Sequence, residues 1–368
     1  MVYLNQAGTS WPKPDVVRDA AAGALATPPA AWSDAFHAAH RAVAAHFGLD
    51  GPERLLLTPG CTSALAVAIA DHAWQPGDRI VVSHLEHHAL HRPATLLEAQ
   101  GVEVVVIPRA ADGPLDTQAL EHTLKEGRVR LVAMTAACNV TGELLPVAEI
   151  IRLAHAHGAL AVVDGAQVCG WMDVDLPALG ADLFTFAAHK GLHAPWGLGG
   201  LYVAPHVQTT TPAATCAVPA HGTDAACAPM PGYCDVGSVD LVALAGLHAA
   251  LGWLAAPAQT DRLARMRGQV ERMTATLEAC ADVTLLGVRD PAQRLPTIAF
   301  TVAGRTSGDV AARLREAGLL VGSGLQCAPL AHEALGTAPD GAIRLSAGPL
   351  LPDDALTTAC AVHEAQLG

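Results

Sequence analysis

Charge is scarce in this chain. Of 368 residues only 15% are charged, and the basic ones are outnumbered, 22 against 35, which leaves a net charge of −13. Nucleic acid and anionic membranes are gripped through Lys and Arg, so both are excluded as main partners, and no nucleic-acid motif is present. One local pocket for a small anion is not excluded. Long hydrophobic runs are also missing. The most apolar stretch, Leu241 to Ala256, contains His248, is rich in Ala and Gly, and has no flanking charge bias; it reads as a buried helix. The opening Met-Val-Tyr-Leu-Asn-Gln lacks the basic-then-apolar order of a signal peptide. Nine cysteines, an odd number, show no disulfide framework, which points to a reduced, cytoplasmic protein. Cys216, Cys227, Cys234 and His221 fit no zinc spacing, so no metal is expected and these thiols read as unpaired. There is no internal repeat and no long low-complexity tract.

What is present is core material: 51% of residues are apolar, in a length that suits roughly two domains of about 150 residues. Pro12 and Pro14 make residues 1–14 an extended arm. Helical periodicity follows over about 15–26 and 33–47. Short apolar runs at 55–58, 80–83, 102–107, 129–135, 159–163 and 201–203 then alternate with helical segments at 61–73, 88–100, 116–125 and 146–157. That alternation predicts an α/β fold with a mostly parallel sheet covered by helices. The segment 208–235, rich in Thr, Pro and Ala, reads as a long loop. After the Ala-Ala-Pro-Ala break near residue 256 come a charged amphipathic helix (261–280) and strand and helix pieces at 297–302, 308–316, 343–346 and 353–366. These predict a smaller α+β domain. The expected division is 1–14 arm, 15–256 large domain and 257–368 small domain.

Two runs carry the chemistry. Val162-Val-Asp-Gly-Ala-Gln167 and Asp182-Leu-Phe-Thr-Phe-Ala-Ala-His-Lys190 are each apolar and end in polar residues, as strands do when they deliver groups at a sheet's carboxyl edge. A lysine beside a carboxylate suits pyridoxal phosphate (PLP): the lysine forms a Schiff base with the aldehyde and Asp164 pairs with the ring nitrogen. The same residues also make a plain Asp–Lys ion pair. Pro59-Gly60 followed by Cys61-Thr62-Ser63 at a helix start suits a phosphate, through free N–H groups, the helix dipole and the Thr62 hydroxyl, and equally an ordinary N-cap.

With these motifs in order, the chain resembles the PLP-dependent class V aminotransferase superfamily, and within it the cysteine desulfurase/selenocysteine lyase branch. The arm resembles that branch's Tyr-Leu-Asp-Asn-Ala-Ala-Thr-Ser-Trp-Pro-Lys-Pro opening. Glu86-His87-His88, Asn139-Val-Thr-Gly142, Val163 to Gln167, His189-Lys190, Gly324 to Leu330 and Ile343-Arg-Leu-Ser346 resemble its successive motifs. The resemblance implies a PLP-transferase type I fold and a homodimer. It implies that Lys190 holds PLP and acts as base, Asp164 keeps the ring nitrogen protonated, Gln167 bonds the phenolic oxygen and His87 stacks on the ring. Thr62, the Cys61 backbone and His189 would hold the phosphate, with Ser238 reaching the partner subunit's phosphate. Asn139 and Arg344 would grip the substrate carboxylate, for which a planar guanidinium is suited. Cys327 would take sulfur from L-cysteine as a persulfide, leaving alanine and passing the sulfur to an acceptor protein. Selenocysteine lyase, or a PLP lyase or aminotransferase without a persulfide step, uses the same scaffold.

Several positions depart from the branch's pattern. Asn5-Gln6 stand where Asp-Asn is common, and Ala187-Ala188 where a hydroxyl often helps hold phosphate. Ala136 and Cys138 replace His and Ser, Gly322-Ser-Gly324 replaces Arg-x-Gly, and Ser-Ala-Gly-Pro-Leu follows Arg344 in place of an aromatic-Asn-Thr type of tail. The expected consequences are weaker PLP retention and an altered substrate shell.

Overall fold

The structure is a computed structural model that describes residues 1–207 and 239–367. The loop 208–235 with Cys216, Cys227 and Cys234, and also Ser238, lie outside the described residues. The strands are β1 (Val2–Leu4), β2 (Leu55–Thr58), β3 (Arg79–Ser83), β4 (Glu103–Ile107), β5 (Val129–Thr135), β6 (Leu160–Asp164), β7 (Leu183–Ala187), β8 (Gly199–Val203), β9 (Val283–Leu286), β10 (Thr297–Val302), β11 (Leu319–Val321) and β12 (Ile343–Ser346).

Seven of them form one sheet in the order β2-β8-β7-β6-β5-β3-β4. The pairs from β7 across to β4 are parallel, while β8 runs antiparallel to both β7 and β2. The α/β fold with a mostly parallel sheet is therefore present as expected. Its central strands read as unbroken apolar runs because both faces are covered by helices; every residue of β7 and β8 is buried. Phe47 from the helix Trp32–His46 region packs on Phe184 and Phe186 of β7, with ring centroids 6.0 and 5.0 Å apart. That packing explains one motif residue. A Cβ on Gly165 would lie 2.1 Å from the Phe184 ring, so the chain leaving β6 passes the sheet only without a side chain.

A second sheet, β12-β10-β9, is antiparallel and lies with the helices Arg262–Glu278 and Asp353–Leu367. The arm differs from expectation. Part of it is a strand, β1, paired in parallel with β11 in the register Val2↔Leu319, Tyr3↔Leu320 and Leu4↔Val321. Three residues show no usable period, which is why a pattern reading leaves them merely extended. The helix expected at 61–73 ends at Ala70, and the one expected at 88–100 splits into His88–Leu96 and a tight turn Leu97–Gln100. Arg109, half-buried, pairs with the buried Glu143 in a bidentate contact at 2.6 and 2.8 Å that fastens the loop after β5, and Glu143 also accepts from the Val288 N–H at 3.2 Å.

Candidate active site

The carboxyl ends of β5, β6 and β7 open into one cavity of about 590 Å³. Asp164, Gln167, Lys190, His87, Asn139, Cys327 and Arg344 all line it, together with Cys61, Thr62 and His189. Residues from positions 61 to 344 thus meet at one sheet edge, where the open α/β topology places ligands.

Asp164 is the last residue of β6 and opposes Thr185 of β7. It is buried, its Oδ1 accepts from the Ala166 N–H at 2.9 Å, and the Cys61 thiol lies 3.4 Å away. Burial pushes its pKa up, against that hydrogen bond and the Lys190 charge. Lys190 follows the end of β7. Its side chain reaches the cavity but is shielded by the surrounding protein, and burial lowers its pKa while Asp164 and Cys61 oppose the shift. Lys13, Lys125 and Lys190 are the chain's lysines, and Lys190 alone lines this cavity.

His87 caps the helix His88–Leu96, and its Nδ1 accepts from the Ala89 N–H at 3.0 Å. Burial and the Lys190 charge bring its pKa down to about 4, so the ring is neutral at pH 7 and its proton sits on Nε2. Beneath it Glu86 is buried, with its carboxyl on the Ser83 hydroxyl and the Thr135 N–H at 3.0 and 3.1 Å; burial raises its pKa to about 8. Gln167 is buried and its Nε2 donates to the Ala7 carbonyl at 3.1 Å.

At the far end of the cavity the helix Cys61–Ala70 begins. Its N-cap is Gly60, and no side chain occupies the cap, so the first N–H groups keep their donors free. Gly199 of β8 makes the close approach; a Cβ there would lie 2.7 Å from the Cys61 nitrogen. Cys61 itself is buried with its thiol pKa raised well above the usual value, and Cys138 is buried too. Ala187 and Ala188, where a hydroxyl was noted as missing, are both buried.

His189 is held by residues that motif reading passed over. Its carbonyl accepts from the Ser10 N–H and hydroxyl at 3.0 Å, the Thr9 hydroxyl at 3.1 Å and the Lys13 amine at 3.0 Å, and its Nδ1 pairs with Thr9 at 3.1 Å. The arm is therefore a strap over the His189–Lys190 turn. Burial lowers Lys13 to about 8 and His189 to about 4. Thr9, Ser10 and Lys13 gave no signal beyond the family-like opening, because their partner lies some 180 positions away.

Arg344, on β12, is buried. Its Nη1 donates to the Asn139 carbonyl and its Nη2 to Asn5 Oδ1, both at 2.7 Å, while Nε is buried without a partner. An unpartnered guanidinium N–H at the cavity wall suits an incoming carboxylate. The side-chain amide of Asn139 donates instead to the Gln326 carbonyl at 2.8 Å, on the cysteine loop. Of the described cysteines only Cys327 is exposed. Gln326 and Cys327 have φ of 47° and 59°, and the Cys327 carbonyl accepts from the His88 N–H at 2.7 Å.

These groups fit PLP: one shielded amine, one carboxylate beside it, a neutral imidazole, and a helix start without a side-chain cap. The comparisons agree. The Aminotransferase class-V family matches residues 2–352, and the chain belongs to this family, whose members are PLP-dependent. Among curated relatives, the cysteine desulfurase of Dickeya dadantii (strain 3937) is 34% identical over 291 residues, 75% of this chain and 68% of the relative. The apo structure of the cysteine desulfurase from Thermococcus onnurineus NA1 aligns with a TM-score of 0.87 and 25% identity, covering 100% of this chain and 94% of that one. The structure of a C-DES mutant with glycine covalently linked to its PLP cofactor aligns with a TM-score of 0.83 over 100% and 97% of the two chains at 21% identity, a likeness of fold.

Proposed function

We propose that this chain is a PLP-dependent cysteine desulfurase, which converts L-cysteine to L-alanine and takes the sulfur as a persulfide on Cys327. The observation that carries this reading is the position of Cys327. It is the exposed thiol among the described residues, and it lines the same cavity as Lys190, Asp164 and Arg344.

When bound, PLP draws electron density from the substrate carbons into its ring. Lys190 would hold it, Asp164 would keep a proton at the ring nitrogen, Gln167 would contact the phenolic oxygen, and the neutral ring of His87 would lie against it. The N–H groups at Cys61, the Thr62 hydroxyl and His189 would hold the phosphate. Arg344 anchors the substrate carboxylate, with Asn139 beside it. Because burial lowers its pKa, Lys190 is more readily neutral and can take the proton from the substrate Cα. The Cys327 thiolate attacks the substrate sulfur: an S–S bond forms, the carbon–sulfur bond breaks, and its electron pair stays with the three-carbon fragment. Lys190 and His87 are the groups in place to return protons as that fragment becomes alanine.

The same reading divides the chain into the arm 1–14, a large PLP-binding domain 15–256 and a small domain 257–368; the short turn Pro257–Gln259 between two long helices supports the last boundary. It makes the protein a cytoplasmic homodimer and a donor to an acceptor protein. Six described cysteines without a disulfide support a reducing compartment, and the exposure of Val16, Leu25 and Trp32 supports a second copy. Among the described residues no single helix is long and apolar enough to cross a membrane.

The test is product identification by mass spectrometry after incubation with PLP, L-cysteine and a reductant. Alanine with sulfide is the expected outcome. Pyruvate with sulfide would mean β-elimination and would remove Cys327 from the mechanism.

A further inference from the structure

The guanidinium of Arg344 stands in unusual surroundings. Its pKa is lowered to about 10, chiefly by burial, so it remains a cation at neutral pH. The groups that favour its charge are Cys138, Tyr3 and Cys327, the Lys190 amine opposes it, and among the described residues no carboxylate forms an ion pair with it. Its hydrogen-bond partners, the Asn139 carbonyl and Asn5 Oδ1, are both neutral. A buried cation without a counter-ion is costly unless a ligand supplies the charge.

Two glycines flank the same group. A Cβ on Gly322 would lie 2.9 Å from Asn5 Oδ1 and 3.3 Å from both Nε and Nη2 of Arg344. A Cβ on Gly8 would lie 3.2 Å from Asn5 Oδ1 and 3.3 Å from Nη2. Neither glycine has a positive φ, so the backbone does not require glycine at either place. What the missing side chains leave is room beside the guanidinium.

The sequence departs from the resembling branch at both of these positions. Asn5 stands where Asp is common, and Gly322 where Arg is common. In the chain they are 317 positions apart; in the fold they meet at Arg344. An amide and a glycine leave no side-chain charge at either of these two places.

We propose that Asn5, with Gly322 opposite it, is a positioning residue of the carboxylate site. The amide orients the guanidinium through Nη2 and leaves its whole charge for one substrate carboxylate. This rests on the cysteine desulfurase reading for the identity of the substrate, and on the geometry alone for the carboxylate.

Two holoenzyme variants test it. Asn5→Asp has the same shape and keeps the hydrogen bond to Arg344, but adds a negative charge beside it. KM for L-cysteine should rise at least about tenfold with kcat within about twofold, because a lost ground-state ion pair appears in KM. The dissociation constant of L-alanine, which shares the carboxylate and has no sulfur, should rise in parallel by calorimetry. Asn5→Ala adds no charge and should shift both by clearly less than Asn5→Asp. Equal effects of the two variants would mean that the added charge does nothing at the guanidinium and would overturn the proposal, as would unchanged alanine binding in Asn5→Asp. If the unaltered enzyme binds alanine but makes none from cysteine, the functional reading fails while the proposal about Asn5 is still decided by the alanine titrations.

Discussion

The backbone N–H of His88 donates to the backbone carbonyl of Cys327 at 2.7 Å. The residue after the His87 imidazole thus holds the residue that carries the exposed thiol, and the Asn139 amide donates to the neighbouring Gln326 carbonyl. The cysteine loop is fastened through its backbone, and its side chain is left free.

Cys327→Ser should therefore leave the fold intact. Stability should change by no more than about 0.5 kcal/mol, as for an exposed residue, and PLP content should be unchanged. Alanine formation from L-cysteine should fall on the order of a hundredfold or more, because the sulfur has no nucleophile to receive it. Alanine formation at the original rate would show that Cys327 is not the carrier.

Glu143→Ala should be strongly destabilising. The carboxylate is fully buried and holds both Arg109 nitrogens, the Thr141 hydroxyl and the Val288 N–H. Removing it strands a half-buried guanidinium, at a cost of about 3–5 kcal/mol in urea denaturation. The loop it fastens carries Asn139, so kcat/KM for L-cysteine should fall as well.

His363 predicts a pH slope. It is buried with both ring nitrogens unpartnered, and burial lowers its pKa to about 4. The unfolded chain takes up this proton below about pH 6.5, and the native protein refuses it until about pH 4. Stability is thus fully present above pH 6.5 and falls through that window, by up to about 1.4 kcal/mol per pH unit from this residue. Denaturation at pH 7, 6 and 5 should show His363→Leu losing less stability on acidification than the unaltered protein. Identical slopes would refute the assignment.

Ala187 ends β7 and lines the cavity near the helix start at Cys61. Supplying the hydroxyl that is absent there, as Ala187→Ser, should slow PLP loss on dialysis severalfold, since one charge-assisted hydrogen bond contributes about 1.5 kcal/mol or more. Equal loss from both proteins would place the phosphate elsewhere.

Much of this was legible in the residues. The runs ending at Asp164 and Lys190 announced neighbouring strands because both are apolar until their last residues. Cys61 to Ser63 announced a helix start, and Arg344 lay inside a recognisable strand. What the residues did not announce was pairing across long separations. Three-residue strands such as β1 and β11 carry no periodic signal, and the grip of Thr9, Ser10 and Lys13 on the His189 carbonyl depends on a fold that no local pattern encodes. Asn139 was legible as a site residue by likeness, yet its amide is aimed at the cysteine loop, a choice set by packing. Glu86 was visible only as a motif letter; its burial beneath His87 required the sheet.

The pairing of β1 with β11 has a consequence for biosynthesis. A nascent chain emerges from its N-terminus, and domains form as their residues become available. By the time Lys190 and the strands around it have left the ribosome, β1 still lacks its partner at Leu319–Val321, and neither Cys327 nor Arg344 has been made. A translating chain can therefore assemble the sheet and the lysine turn long before Cys327 and Arg344 are available to complete the cavity. The part of the cavity built by Cys327 and Arg344 is therefore the last to be made.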